Sequence, residues 1–132
     1  MNRVIVLILF LGLVSCDYYD GRLQIINKSD RVICFDHEVD TILDIPSINK
    51  KDYFIRTRIN PGDTTNVVLP GSTKQWIWEV ASGKDSTLSI YVFDYEQVLK
   101  NDWDSLRKSK NYIRYDFPLT ELMENNWTVQ VE

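Results

Sequence analysis

Residues 87–93 of the chain read TLSIYVF, and this stretch decides the fold class. Leu88, Ile90 and Val92 point to one face of an extended chain, and the aromatic residues that alternate with them point to the other. Both faces are therefore apolar, which is typical of a strand that is covered on both sides. We expect this strand near the centre of a sheet.

Shorter extended segments lie on either side of this strand. Clusters of Pro, Gly, Asn, Asp and Ser separate them at intervals of about 8 to 12 residues. The pattern predicts an all-β or β-rich α+β fold, built as a small antiparallel β-sandwich or a partly open barrel. The first two segments are expected to pair as a hairpin, and Trp76, Trp78 and Val80 to share one face of a strand. The expected strands are residues 23–26, 32–35, 53–59, 65–69, 75–80, 87–93, 111–117 and 127–131.

Helix signals follow the central strand. Asp94 is followed three residues later by Gln97, and Asp102 precedes a short amphipathic stretch with acid in its first turn. These residues predict one broken helix or two short helices near residues 95–109. A turn or two of helix at most is expected at residues 118–123.

The amino-terminal segment has the pattern of an export signal. Residues 4–14 read VIVLILFLGLV behind the basic Arg3, and eleven apolar residues are too few to span a bilayer, which needs about 20. The following Leu13-Val14-Ser15-Cys16 resembles the bacterial lipobox, in which the Cys receives lipid and becomes the first mature residue. We therefore expect a signal peptide at residues 1–15, lipidation at Cys16, a short tether at residues 16–21 and a single domain at residues 22–132. An ordinary cleaved signal with an incidental Cys is the alternative.

Residues 22–132 also resemble a known group of proteins. The segments TLSIYVFD (87–94), WDSLR (103–107), YDFPL (115–119) and NWTV (126–129) are similar to a family of small uncharacterised lipoproteins from gut Bacteroidota. The resemblance implies a lipid-anchored protein of the bacterial outer membrane, on its periplasmic face or on the cell surface. It implies no catalytic residues.

Charge and side-chain chemistry make several functions improbable. The chain has 15 Lys and Arg against 19 Asp and Glu, with no basic stretch of the kind that binds nucleic acid. His37 is the only His, and it diverges from Cys34 if the strand continues, so we expect a solvated acidic strand end there. No phosphate loop, nucleophile elbow or zinc motif is present. We expect no metal, no cofactor and no enzyme activity, and Cys34 as a small buried hydrophobe.

Aromatic residues are the remaining lead to function. Trp76, Trp78 and Trp103 are candidates for a ligand-facing surface, because exposed aromatic rings bind sugars and partner proteins. Burial of most Trp in the core is the alternative, and an outward-facing Trp76 or Trp78 would indicate a binding face. The sequence thus predicts a non-catalytic binding module, held on the membrane through Cys16, for a glycan or an envelope protein. A structural accessory subunit of an outer-membrane or surface complex is the alternative.

Overall fold

A computed structural model describes residues 18–40 and 42–132 of the chain. The predicted signal peptide and Cys16 lie outside these residues. Within them are six strands and five short helices, and the fold is β-rich as expected. The strands are β1 (Tyr19–Asn27), β2 (Ile33–Glu38), β3 (Thr64–Pro70), β4 (Thr87–Asp94), β5 (Ile113–Pro118) and β6 (Thr128–Val131); the helices are α1 (Lys51–Arg56), α2 (Gln75–Ser82), α3 (Tyr95–Lys100), α4 (Trp103–Lys108) and α5 (Leu119–Glu124).

The strands form two small sheets. Sheet A has the order β3-β1-β6, and sheet B has the order β2-β4-β5. All pairings are antiparallel except β1 with β6, which run parallel. The strand at residues 87–93 is confirmed as the centre of its sheet.

The main core lies between the two sheets and is closed at one end by α2. Leu23 and Ile25 of sheet A share one apolar cluster with Leu88 and Ile90 of sheet B, and all four side chains are fully buried. Burial of such side chains stabilises each by roughly 1.5–3 kcal/mol before conformational entropy is counted. Trp76 and Val80 of α2 enter the same cluster.

A second apolar cluster covers the outer face of sheet B. Tyr91 and Phe93 of β4 pack there with Phe54 of α1, Val98 of α3 and Trp103 of α4. The Phe54 and Trp103 rings stack with their centroids 4.0 Å apart. The domain therefore has three layers, sheet A, sheet B and helices, and β4 is covered on both faces as its sequence predicts.

The two ends of the sandwich differ: α2 lies at one end, and a surface cleft lies at the other. The α2 end is where β1 begins and β2 finishes, since Trp76 contacts both Asp20 and His37 there. The cleft end is where β1 finishes and β2 begins, since Asn27 donates to the carbonyl of Ile59, whose own amide pairs with Ile33.

Three predictions about secondary structure are wrong. Residues 75–80 are helical, where the sequence predicts a strand. The spacing does not separate the two structures, because residues four apart, such as Trp76 and Val80, share a face in a helix as well as in a strand. Residues 51–56 form α1, with Phe54 buried, where a strand was expected at 53–59. The expected hairpin is absent from the described pairings: β1 and β2 belong to different sheets, and the turn between them crosses the sandwich.

The predicted helices after β4 are confirmed as two short helices, α3 and α4. The side chain of Asp94 accepts the Gln97 amide at 3.1 Å, and that of Asp102 accepts the Ser105 amide at 3.0 Å. Within residues 18–40 and 42–132, none of the helices has the length and apolar character needed to cross a bilayer.

Candidate functional site

The four Trp residues divide sharply in exposure. The Trp78 side chain is 59% exposed, whereas Trp76, Trp103 and Trp127 retain 5% exposure or less. Trp76 and Trp103 are core residues of the two apolar clusters, so neither faces a ligand in this structure. Of the three candidate aromatics, Trp78 alone remains available for binding.

The geometry of α2 explains why Trp78 points outward. Trp76 and Val80 face the core, and Trp78 lies midway between them in sequence, about 200° around the helix from each. The first turn is fixed by Asp20 of β1, a carboxylate only 3% exposed, which accepts the Trp76 amide at 3.0 Å. Arg22 balances this buried charge at 2.8 Å.

Two further aromatic residues are exposed at the α2 end. Tyr18 and Tyr19 are 63% and 64% exposed at the start of β1, immediately before the Asp20 that holds α2. They are held by pairing to β3, because Gly71 donates its amide to the Tyr18 carbonyl at 3.0 Å. Tyr18, Tyr19 and Trp78 together are called the aromatic surface.

A buried ion pair lies beside this end, on β2. Arg107 of α4 is 2% exposed and donates to the carboxylate of Asp36 and to the carbonyl of Asp44. Asp36, Glu38, Asp44 and Arg107 line a cavity of about 200 Å³, called the acidic cavity. The prediction of a solvated acidic strand end is therefore wrong for Asp36, because its carboxylate is buried and paired with Arg107.

The charges around the acidic cavity shift each other's protonation. Burial raises the pKa of Glu38 to about 7, and the neighbouring carboxylates of Asp36 and Asp44 add to the rise. Burial also raises the pKa of Asp36, against the pull of Arg107. The pKa of His37 is lowered by burial against Trp76, with Asp36 and Glu79 opposing the shift.

The acidic cavity brings together groups that acid–base chemistry could use, and Cys34 is not among its lining residues. Cys34 is buried on the opposite face of β2 from His37, as the strand alternation predicts. Burial raises the pKa of its thiol to about 12, so it is protonated and unreactive at neutral pH. No group of three metal-ligating side chains is found among the described residues.

A second concave site lies at the cleft end. A cleft of about 240 Å³ is lined mostly by polar and charged groups, together with apolar side chains that include Val92 and Ile113. Ile113 is 50% exposed, and Arg31 pairs with Asp94 at 3.3 Å across its rim. The remaining lining residues are Ser29, Ile33, Lys110, Asn111, Tyr112 and Glu132.

The sequence did not predict the acidic cavity or the cleft. Arg107 and Asp36 lie 71 residues apart, and no local pattern links them. The cleft gathers residues from the β1–β2 turn, the α4–β5 turn and the last residue described. The sequence predicted a turn after β1, but not a cleft.

Comparison with known proteins adds no further assignment to these sites. No protein-family model, no curated protein and no solved structure matches the chain.

Proposed function

We propose that the chain is a lipid-anchored, non-catalytic binding module of the bacterial envelope that takes a glycan or a protein segment in the cleft. The observation that carries this proposal is the position of the cleft, at the opposite end of the sandwich from Tyr18. Because Cys16 precedes Tyr18 by two residues, a lipid on Cys16 places the α2 end next to the membrane. The cleft then points away from it.

The lining of the cleft suits a polar ligand with some apolar surface. Arg31 and Lys110 offer positive charge, Asp94 and Glu132 offer negative charge, and Asn111 offers an amide. The net charge of the lining is close to balanced, which favours hydrogen bonding over strong attraction of one ion type. The exposed Ile113 supplies the apolar contact.

The anchor is tested by acyl labelling in cells. An alkynyl palmitate fed to the bacteria should label the wild-type chain and leave Cys16→Ser unlabelled. The variant should leave the membrane fraction. An unlabelled wild-type chain would remove the anchor from the proposal.

The cleft is tested by titrating an isotope-labelled soluble form, residues 17–132, with muropeptides and with core oligosaccharides of the outer membrane. Binding should shift the amide resonances of the cleft, and Ile113→Ser should weaken it about 10-fold, since lost apolar burial of one side chain is worth about 1.4 kcal/mol. Val68→Ser is the matched control, because Val68 is 51% exposed on β3 of the other sheet.

Two outcomes would redirect the proposal. Equal weakening in both variants would separate binding from the cleft. Absence of binding, together with co-purification of a stoichiometric envelope complex through the cleft, would support the accessory-subunit function instead.

A further inference from the structure

No apolar cluster among the described residues covers the aromatic surface. Tyr18, Tyr19 and Trp78 are each at least 59% exposed, and none of them belongs to either apolar cluster. Large exposed aromatic side chains grouped at one end of a small domain indicate a contact with something outside it.

The chain position of the surface identifies what it faces. β1 begins at Tyr19, earlier than the expected domain boundary at residue 22, so Asp17 and Tyr18 are the only residues between Cys16 and the strand. At about 3.5 Å per residue, two residues of chain span at most about 7 Å. An acylated Cys16 therefore leaves no room for a layer of protein between this end and the lipid headgroups.

The fold places the backbone of all three residues at this end. Pairing of Tyr19 with Pro70 joins β1 to β3, and Asp20 joins β1 to the first turn of α2. Trp78 is directed away from the core by the burial of Trp76 and Val80 on the opposite helix face. The exposed Lys74, at the N-cap position of α2, adds a positive charge that suits a lipid phosphate.

The chemistry of the rings matches a bilayer surface. Tyr and Trp combine an apolar ring with a polar hydrogen-bonding atom, and they concentrate where hydrocarbon meets headgroups. We propose that Tyr18, Tyr19 and Trp78 insert into the headgroup layer and seat the α2 end of the domain on the bilayer. This contact rests on the proposed lipid anchor and adds to it a fixed orientation.

The test uses the full lipidated protein in vesicles of phosphatidylethanolamine and phosphatidylglycerol, with bromine atoms on the acyl chains close to the headgroups. Bromine quenches only rings that reach it. Because Trp78 is the exposed one of four Trp residues, quenching should remove roughly a quarter of the emission. The quenching should disappear in Trp78→Phe and should be weaker in the double variant Tyr18→Ser with Tyr19→Ser.

Tyr53→Ser is the matched control, because Tyr53 is 42% exposed but lies on α1, over the outer face of sheet B. Quenching should be unchanged in it. Flotation of the same samples separates the two proposals. Protein that floats with the vesicles but is not quenched would overturn the interfacial contact and leave the anchor standing.

Protein that fails to float would overturn the anchor and the contact together. Floating protein that is unquenched and crosslinks to itself through Trp78→Cys would assign the aromatic surface to a second copy of the chain, against the proposal.

Discussion

At the scale of single residues, replacing Arg107 is expected to lower stability strongly. Arg107 is buried and pairs with the buried Asp36, so replacing it leaves an uncompensated carboxylate in the interior. Breaking such a pair costs about 3–5 kcal/mol. We expect Arg107→Met to lower the free energy of unfolding by that amount, as measured by urea denaturation of residues 17–132.

The matched variant combines Arg107→Met with Asp36→Asn. It removes the stranded charge, so part of the lost stability should return. A double variant no more stable than Arg107→Met would show that Arg107 acts through its other contacts and not through the ion pair. These are its hydrogen bond to the Asp44 carbonyl and its packing over the Trp103 ring, whose centroid lies 5.6 Å from the guanidinium carbon.

Glu38 should make stability depend on pH. Its pKa is raised in the folded state, so its contribution is fully present below its ordinary pKa of about 4.5 and is lost as pH rises through about 7. Glu38→Gln should therefore match the wild type at pH 4 and exceed it by about 1 kcal/mol at pH 8, after allowance for solvent screening. His37, whose lowered pKa has the opposite effect, is present in both proteins.

Thermal melts of the two proteins between pH 4 and 8 measure the difference. Glu124→Gln, at an exposed position on α5, is the control and should show a flat difference. A flat difference for Glu38→Gln as well would mean that the carboxylate is solvated at every pH.

At the scale of elements, the sequence predicted those structures whose signals are local. Alternation over 87–93 identified β4, and Asp94 and Asp102 identified the starts of α3 and α4. The prediction failed at residues 75–80, where the spacing of apolar residues fits both the strand and the helix periodicity. Spacing of Trp76, Trp78 and Val80 fits a strand face, but the first and last also fit a helix face, and only tertiary packing selects between them.

The cap of α3 gives an element-scale prediction. Asp94 accepts the Gln97 amide and also pairs with Arg31, which is 67% exposed. Asn preserves a cap oxygen and removes the charge, whereas Ala removes both. We expect the free energy of unfolding of Asp94→Ala, measured in urea, to be about 1 kcal/mol lower than that of Asp94→Asn. The Asn variant should be close to the wild type. Equal losses would assign the effect to the ion pair.

At the scale of the whole molecule, the connection between sheets is what the sequence could not reveal. The turn at residues 28–32 reads as a hairpin turn, yet it carries the chain from sheet A to sheet B. Its course depends on Asn27, whose fully buried side chain donates to the carbonyls of Arg31 and Ile59, a contact 32 residues away in sequence. The crossing also contributes to the cleft, because Ser29 and Arg31 of this turn line it.

The separation of the cleft end from the α2 end predicts how the anchored domain stands on its membrane. β1 has nine residues and joins the two ends, so its eight steps of about 3.3 Å place the cleft about 26 Å farther from the bilayer than the aromatic surface when β1 stands along the membrane normal. A dye on Thr73→Cys, at the α2 end, should transfer energy strongly to acceptors in the lipid headgroups. A dye on Asp30→Cys, at the cleft end, should transfer weakly.

Labelling of the two sites is selective, because the buried Cys34 thiol has its pKa raised to about 12 and Cys16 is expected to carry lipid. Soluble residues 17–132 mixed with the same vesicles are the control and should show no transfer from either site. Equal transfer from both sites of the lipidated protein would mean that the domain lies flat, with the side of the sandwich on the bilayer. The cleft would then open along the membrane surface, and its ligand would have to be sought among molecules that lie there.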